Sequence, residues 1–447
     1  MKKTNSSNKL ALHMLTAMVA GIIVGLVFMG IRESLGADSA LWTTINQLLF
    51  QDITAAGAEK SIGLFYICGQ LFIRSLQLII VPMVFSSVVM AINEIREAST
   101  LGRVAAKTMG WFLLTTFVAL AFAGAIALMC FKAGFFNISL TQISASAGST
   151  GSNPLQVILN IIPSNIGAVF SVNHSVLSIV FIAVVIGLGL NALNISKENS
   201  SIYHLCEEIS KIIVVFLNFV VTKFGPVAIF MLLCRTFATY GIDYLKPALA
   251  YVVLCVALLL AYLLIGYPIY IGILCKLNPI IFIKKMFKVM LFGFSTSSSA
   301  ATLPMNMDVN TKELGVDPQI ASFVLPLGMT INMDGTAIMQ VVATLFIAGC
   351  SGYDVTVFQL IIIMLLALIA SMGTPAAPGA GAVILFTILS GVGFTGEQAL
   401  IAYSLILAIN RPIEMLVTSL NCTGDAVACI AVAKSEGKFN PEIYNQK

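Results

Sequence analysis

Apolar residues run through this chain in long blocks, not in the alternating or one-sided patterns of a soluble fold. Six early blocks, roughly 10–32, 61–93, 104–132, 155–194, 206–239 and 245–275, each supply the ~20 apolar residues a helix needs to cross a bilayer core. The pattern predicts a membrane-crossing helix in each. The second and fourth exceed a simple crossing and should be tilted or broken. Polar stretches at 33–60 and 136–153 read as external loops. The apolar run from Leu10 to about Ile31 is too long for a signal-peptide core, and no small-residue cleavage site follows a short core. It reads as the first membrane helix.

After Lys288 the pattern changes. Residues 289–434 stay apolar but are interrupted at Phe294-Ser295-Thr296-Ser297-Ser298-Ser299-Ala300-Ala301-Thr302-Leu303-Pro304 and at Gly373-Thr374-Pro375-Ala376-Ala377-Pro378-Gly379-Ala380-Gly381. A lipid-facing helix would not tolerate either interruption. Non-helical backbone at membrane depth survives only where protein or a water-filled cavity satisfies its polar groups. Two such breaks around an intact helix predict a pair of re-entrant hairpins enclosing a binding site near the midplane.

Charge sets the orientation. Lys2, Lys3 and Lys9, then Arg96, Arg103 and Lys107, then Lys197 and Lys211, then Lys276, Lys284, Lys285 and Lys288, and finally Lys434, Lys438 and Lys447 fall on one side if the helices alternate. Opposite loops carry only Arg32, Lys60, Lys132, Arg235 and Lys246. Both termini are therefore expected in the cytoplasm of a cell (inner) membrane protein. Tails 1–9 and 435–447 would flank helices one to six (10–275) and a core at 276–434.

Composition agrees. Of 447 residues, 58% are hydrophobic and 10% charged, against about 25% charged in soluble domains. A net charge of +4 is too small to suggest nucleic acid as a partner. The nine cysteines include no CxxC pair and sit mostly in apolar runs, which fits packing residues better than a zinc site or a disulfide framework.

Four polar clusters carry candidate chemistry. The serine-rich break offers hydroxyls and exposed amides to an anion or carboxylate, although small residues also serve close helix packing. Gly328-Met329-Thr330-Ile331-Asn332-Met333-Asp334-Gly335-Thr336 places an acid, an amide, hydroxyls and unwound carbonyls within an apolar segment. An acid there costs at least ~2.5–3.5 kcal/mol when inserted alone, so it should have a partner; hard oxygens at this density suit Na⁺. Helix capping by Asp334 is the blander alternative. Gly373–Gly381 reads as a flexible tip or a plain Pro/Gly kink. Finally, Glu414, Thr418, Asn421 and Asp425 follow 4-3-4 spacing and line one helical stripe that must face protein or water. An Arg411–Glu414 pair at i, i+3 would explain one acid of that stripe but not the rest.

Ser-Ser-Ser…Thr-Leu-Pro, Asn-Met-Asp-Gly-Thr, Pro-Gly-Ala-Gly and Asn-x-Thr-Gly-Asp, in this order and spacing, resemble the dicarboxylate/amino acid:cation symporters, the glutamate transporter family. The likeness covers most of the chain and is strongest from about 290 to 437. It implies an all-α polytopic membrane protein with eight transmembrane helices and two re-entrant helical hairpins. The implied fold is a glutamate-transporter-like elevator with inverted repeats, assembled as a homotrimer. Helices one, two, four and five would form the scaffold. Helices three, six, seven and eight, with both hairpins, would form the moving transport domain. Asp425 with the backbone of Gly328, Asn332 and Asn421 would hold one Na⁺. Asp334 and the Asn332 side chain with Thr115 and Thr116 would hold a second, and backbone carbonyls of Thr330, Ser371, Met372 and Thr374 a third. Substrate would meet Ser299, Thr336, Ala377, Gly381, Glu414, Thr418 and Asn421. No bound cofactor is implied; Na⁺, or alternatively H⁺, is the coupling ion.

Two departures bear on substrate. Members taking acidic substrates resemble one another in carrying Arg three residues after the acid that binds the substrate amine; here that position is Val417. That acid is usually Asp, and here it is the longer Glu414. Val417 cannot pair with a second carboxylate, and Arg411, six residues earlier, lies nearly opposite it on the helix. The expected activity is therefore cation-coupled symport of a small neutral amino acid. Symport of acidic amino acids or C4-dicarboxylates is the alternative, and an ion channel a more distant one. A hydrolase using Ser297, Ser298 or Ser299 lacks support: His13, His174 and His204 lie in other segments and no GxSxG occurs.

Overall fold

The computed structural model describes residues 2–36, 38–54, 57–79, 81–86, 88–90, 93, 102–137, 162–171, 176–193, 197–241, 245–372, 374 and 379–446. Among these the fold is helical, apart from one isolated β-bridge between Val316 and Phe439. Helix satisfies every backbone polar group within its own segment, which a bilayer core demands. Seven stretches are long and apolar enough to cross one: Thr16–Leu35, Leu64–Met90, Arg103–Lys132, Ser201–Thr239, Lys246–Leu274, Pro318–Cys350 and Arg411–Ser435. The predicted fourth block, 155–194, is represented by Val176–Ala192, its earlier part lying largely outside the described residues.

The helices used below are α1 (Lys2–Leu35), α2 (Leu64–Leu78), α3 (Arg103–Lys132), α4 (Val176–Ala192), α5 (Ser201–Phe219), α6 (Gly225–Tyr240) and α7 (Leu245–Ala261). They continue with α8 (Pro279–Thr296), α9 (Ser299–Lys312), α10 (Pro318–Ile331), α11 (Asp334–Cys350), α12 (Val357–Met372), α13 (Ala380–Gly391), α14 (Glu397–Ile409), α15 (Arg411–Ser435) and α16 (Pro441–Asn445). Past α7 the chain runs through two π-helical turns, Tyr262–Gly266 and Tyr270–Leu274, on either side of Tyr267–Ile269. Such widened turns re-aim side chains.

The first half packs by close backbone approach. A side chain on Gly21 would meet the Phe230 carbonyl oxygen at 2.7 Å, and one on Gly25 the Cys234 carbonyl oxygen at 2.9 Å. Glycines four apart thus let α1 lie directly on α6, the small-xxx-small solution used where lipid offers no hydrophobic drive.

In the second half, α11 is surrounded by α3, α7, α12, α13, α14 and α15. The first predicted hairpin is present: α8 ends at Thr296, Ser297 turns in the left-handed region (φ 50°), and the Ser298 hydroxyl caps α9 by accepting the Ala301 N–H. In the second, α12 packs against α13, whose N-cap is Gly379; Gly373 and residues 375–378 of the tip lie outside the described residues. The segment between the hairpins is not the intact helix expected. It breaks at Asn332 and Met333, between α10 and α11. A further joint at Asn410 separates α14 from α15, where Pro412 cannot donate a backbone hydrogen bond.

One end of the core is clamped by the segment after α15. Glu436 pairs with Arg103 at 2.8 Å and Lys107 at 2.6 Å, and these cations hold its carboxyl down at about 2. Asn440 donates its N–H to the Gly315 carbonyl at 2.7 Å. The Lys285 ammonium donates to the carbonyls of Glu313, Ile443 and Tyr444 at 2.8–3.0 Å, and Tyr444 is fully buried.

Candidate cation and substrate sites

The break in α10–α11 brings two acids to the centre of the core. Asp334, the first residue of α11, is fully buried. The Thr116 hydroxyl donates to its Oδ1 at 2.6 Å and the Tyr267 hydroxyl to its Oδ2 at 2.9 Å. The Thr115 hydroxyl lies 3.4 Å from Oδ1 and 3.2 Å from Asn332 Oδ1. Behind it, Tyr262 donates to the Thr115 carbonyl at 2.6 Å. Residues Asp334, Asn332, Thr115 and Thr116, grouped from the sequence as one ion site, are thus joined through hydrogen bonds.

Asp425 stands on the other side of Asn332, whose Nδ2 donates to Asp425 Oδ1 at 3.1 Å. Gly328 is next to it: a Cβ there would lie 2.5 Å from Asp425 Oδ1, so only glycine leaves the carboxylate its place. Asn421 bridges to α11, accepting the Gly335 N–H at 2.8 Å and donating to Thr336 Oγ1 at 3.2 Å. Neither acid has a basic partner among the described residues. Two buried acids without a basic partner, amide oxygens and the carbonyls of a broken helix are thus gathered here, all hard oxygen atoms. No group of three or more His, Cys, Asp or Glu occurs among the described residues.

The third set of predicted ligands is divided between α10, which carries Thr330, and the end of α12 with the residues after it; α10 and α12 touch. Ser371 and Thr374 are buried there, the Thr374 N–H donates to the Ser371 carbonyl at 3.0 Å, and Met372 is half-buried beside them. Thr330 is half-buried on α10, its hydroxyl turned back to the Leu327 carbonyl.

Next to these sites is a cavity of about 30 Å³ lined by both hairpins, α11 and α15. Ser299, Thr336, Gly381, Glu414, Val417, Thr418 and Asn421, all expected to meet substrate, line it; Ala377 lies outside the described residues. Ser297, Met333, Met339, Thr374 and Gly379 complete the lining. This volume holds a water or two, so an amino acid enters only if a wall moves. Residues at the N-terminal ends of α9 and α13 line it, and helix N-termini favour carboxylates. At α13 one amide is taken: the Ala382 N–H lies 3.4 Å from Glu414 Oε1. Glu414 Oε2 stands 3.6 Å from Arg411 Nη1, the i, i+3 pair considered from the sequence.

Sequence reasoning missed Tyr262 and Tyr267, which sit in an apolar block whose spacing bears no relation to Asp334. It also missed Gln340, whose Nε2 donates to the Gly381 carbonyl at 3.2 Å and ties α11 to the second hairpin. Asn306, which donates to the Cys422 carbonyl at 2.9 Å and fixes α9 on α15, went unnoticed for the same reason. A polar residue inside a buried helix was the available signal.

The chain matches the Sodium:dicarboxylate symporter family over residues 10–435. It is 30% identical to a "Proton/glutamate-aspartate symporter" of Escherichia coli (strain K12), covering 98% of this chain and 95% of that one. It is 28% identical to a "Proton/sodium-glutamate symport protein" of Bacillus caldotenax, over 85% and 89% of the two chains. With a "C4-dicarboxylate transport protein" of Bacillus subtilis (strain 168) it shares 25% identity over 96% and 94%.

Proposed function

The chain belongs to the sodium:dicarboxylate symporter family, and from that premise we propose that it is a secondary symporter driving an acidic amino acid or C4-dicarboxylate across the cell membrane with a coupling cation. The expectation of a neutral substrate gives way here to its alternative. Relatives that align over nearly the whole chain are named for glutamate, aspartate and C4-dicarboxylates. The observation that carries the reading is a cavity shared by both hairpins, beside two buried acids with hydroxyl and amide partners.

In this reading Asp425, Gly328, Asn332 and Asn421 hold one Na⁺. Asp334, Asn332, Thr115 and Thr116 hold a second, and Thr330, Ser371, Met372 and Thr374 a third. Substrate sits among Ser299, Thr336, Ala377, Gly381, Glu414, Thr418 and Asn421, its amine on Glu414. Helices one, two, four and five act as scaffold of a homotrimer, both termini face the cytoplasm, and helices three, six, seven and eight move with both hairpins as an elevator. Na⁺ is favoured by the hard-oxygen donor set; relatives named for proton symport make H⁺ the competing ion.

The test is uptake by proteoliposomes across aspartate, glutamate, succinate, serine and alanine, with Na⁺ and pH gradients imposed separately. Concentrative, saturable uptake of aspartate or succinate under one gradient is the expected result. Neutral amino acids taken best would restore the reading from Val417, which lines the cavity and offers no charge. Flux without accumulation would mean a channel.

A further inference from the structure

Between Lys312 and Lys434 the chain contains one basic residue, Arg411. This interval holds α10 to α15, most of the cavity wall. The cavity lining itself includes no cation. Arg411 opens α15 and is only 7% exposed. It precedes Thr418 by two turns and so lies on the same side of α15 as Glu414 and Thr418, just beyond the cavity lining, which ends at Glu414. Relative to Val417 it lies across the helix; relative to the substrate stripe it lies in line, one turn beyond Glu414.

Its partners are too few for a buried guanidinium. The nearest acid, Glu414, stands at 3.6 Å, outside hydrogen-bond distance. Among the described residues, Nε and Nη1 are buried without any hydrogen-bond acceptor. A buried charge with idle donors is costly, so a planar fork left in this state is built for an acceptor that arrives.

We propose that Arg411 holds the second carboxylate of the substrate, replacing in function the cation that Val417 cannot supply; this rests on the acidic-substrate reading above. Glu414 and Arg411 then act as a divided pair. In the structure they face each other at 3.6 Å. With substrate, the amine takes Glu414 and the distal carboxylate takes Arg411. The arrangement favours a molecule bearing both groups, an acidic amino acid, over a plain dicarboxylate, which would leave Glu414 without its counter-charge.

The experiment measures binding of aspartate, glutamate, succinate, serine and alanine to purified full-length wild type, Arg411→Gln, Arg411→Lys and Glu414→Gln. Arg411→Gln should weaken aspartate roughly 10- to 100-fold, the loss of a charge-assisted fork, and change serine and alanine by less than about 3-fold. Arg411→Lys should recover part of the aspartate loss. Glu414→Gln should weaken every amino acid but spare or improve succinate, because Arg411 is freed. A purely structural Arg411 would lower all five ligands together, and that result overturns the proposal. So does an unchanged aspartate-to-serine ratio in Arg411→Gln when wild type prefers aspartate, while leaving the acidic reading intact. A wild type preferring serine overturns both. If Arg411→Gln does not fold, Arg411→Lys decides: a selective drop for aspartate supports the proposal, and a uniform drop or none sinks it.

Discussion

α1 and α15 are both apolar helices of membrane-crossing length, yet they solve opposite problems. In the apolar window of α1, 11% of residues are buried within the protein; in that of α15, 94% are. α1 turns Val19, Ile23 and Val27 outward and keeps its glycines for α6. α15 exposes only Pro412 at its start and Lys434 and Ser435 at its end, and keeps Glu414, Thr418, Asn421 and Asp425 buried. Lipid accepts apolar surface freely but rejects unpaired polar groups, so a polar stripe at membrane depth needs a surrounding protein shell. One level of hydropathy thus covers two roles, anchoring and enclosing, told apart by which residues interrupt the apolar pattern.

The largest effect is expected at Asp425. Asp425→Asn should weaken cation-dependent substrate binding by roughly 100-fold or more, since a cation loses a buried counter-charge, while the fold persists. Isothermal titration of Na⁺ dependence in the purified variant checks this; an undiminished dependence would remove Asp425 from the cation site. On the other side, Gly25→Leu should destabilise by about 1–3 kcal/mol by forcing α1 off α6. Thermal melts should show it with substrate affinity unchanged. Affinity falling together with stability would mean that the two halves are not separable in this way.

Smaller effects sharpen the same contrast. Tyr267→Phe deletes one buried donor to Asp334 and should cost about 1–2 kcal/mol, roughly 5- to 30-fold, in cation affinity. Competition between Na⁺ and substrate-dependent fluorescence quenching would read it; an effect on melting alone would make Tyr267 a packing residue. Smallest is Glu436→Gln. The wild-type carboxyl is held at about 2 against an ordinary value of 4.5 by Arg103 and Lys107. Its contribution is therefore full above pH 4.5 and is lost progressively as pH falls to about 2. The melting temperature of Glu436→Gln should sit slightly below wild type at pH 7, and the gap should close on acidification. A gap widening toward acid pH would contradict the pairing.

Much of the core was legible because cost leaves a trace. Ser297–Ser299 and the Gly328–Thr336 run stand out against apolar surroundings, and both mark real breaks between helices. The 4-3-4 stripe from Glu414 to Asp425 is buried throughout. What stayed hidden depends on contacts between distant segments. Tyr267 meets Asp334 across 67 residues, and no local rule links an aromatic in one apolar block to an acid in another. Arg411 was visible and was set against Val417, from which it lies across the helix; its offset from Thr418 was not weighed. Its seven-residue offset from Thr418 is what aligns it with the stripe. The joint at Asn410 follows from Pro412, a signal present in the sequence and left unread.

The clamp at Lys285 carries a consequence for the order in which the molecule can be made. Two of the three carbonyls that hold its ammonium belong to Ile443 and Tyr444, 158 and 159 residues downstream. A ribosome delivers α8 and α9 long before α16 exists. During that interval the base of the first hairpin carries an ammonium short of two acceptors and lacks the buried Tyr444 ring. The hairpin can insert early but can be sealed only late, after α15 and the segment beyond it have emerged. Closure of this core therefore waits for α16, in a step that insertion of the earlier helices cannot complete.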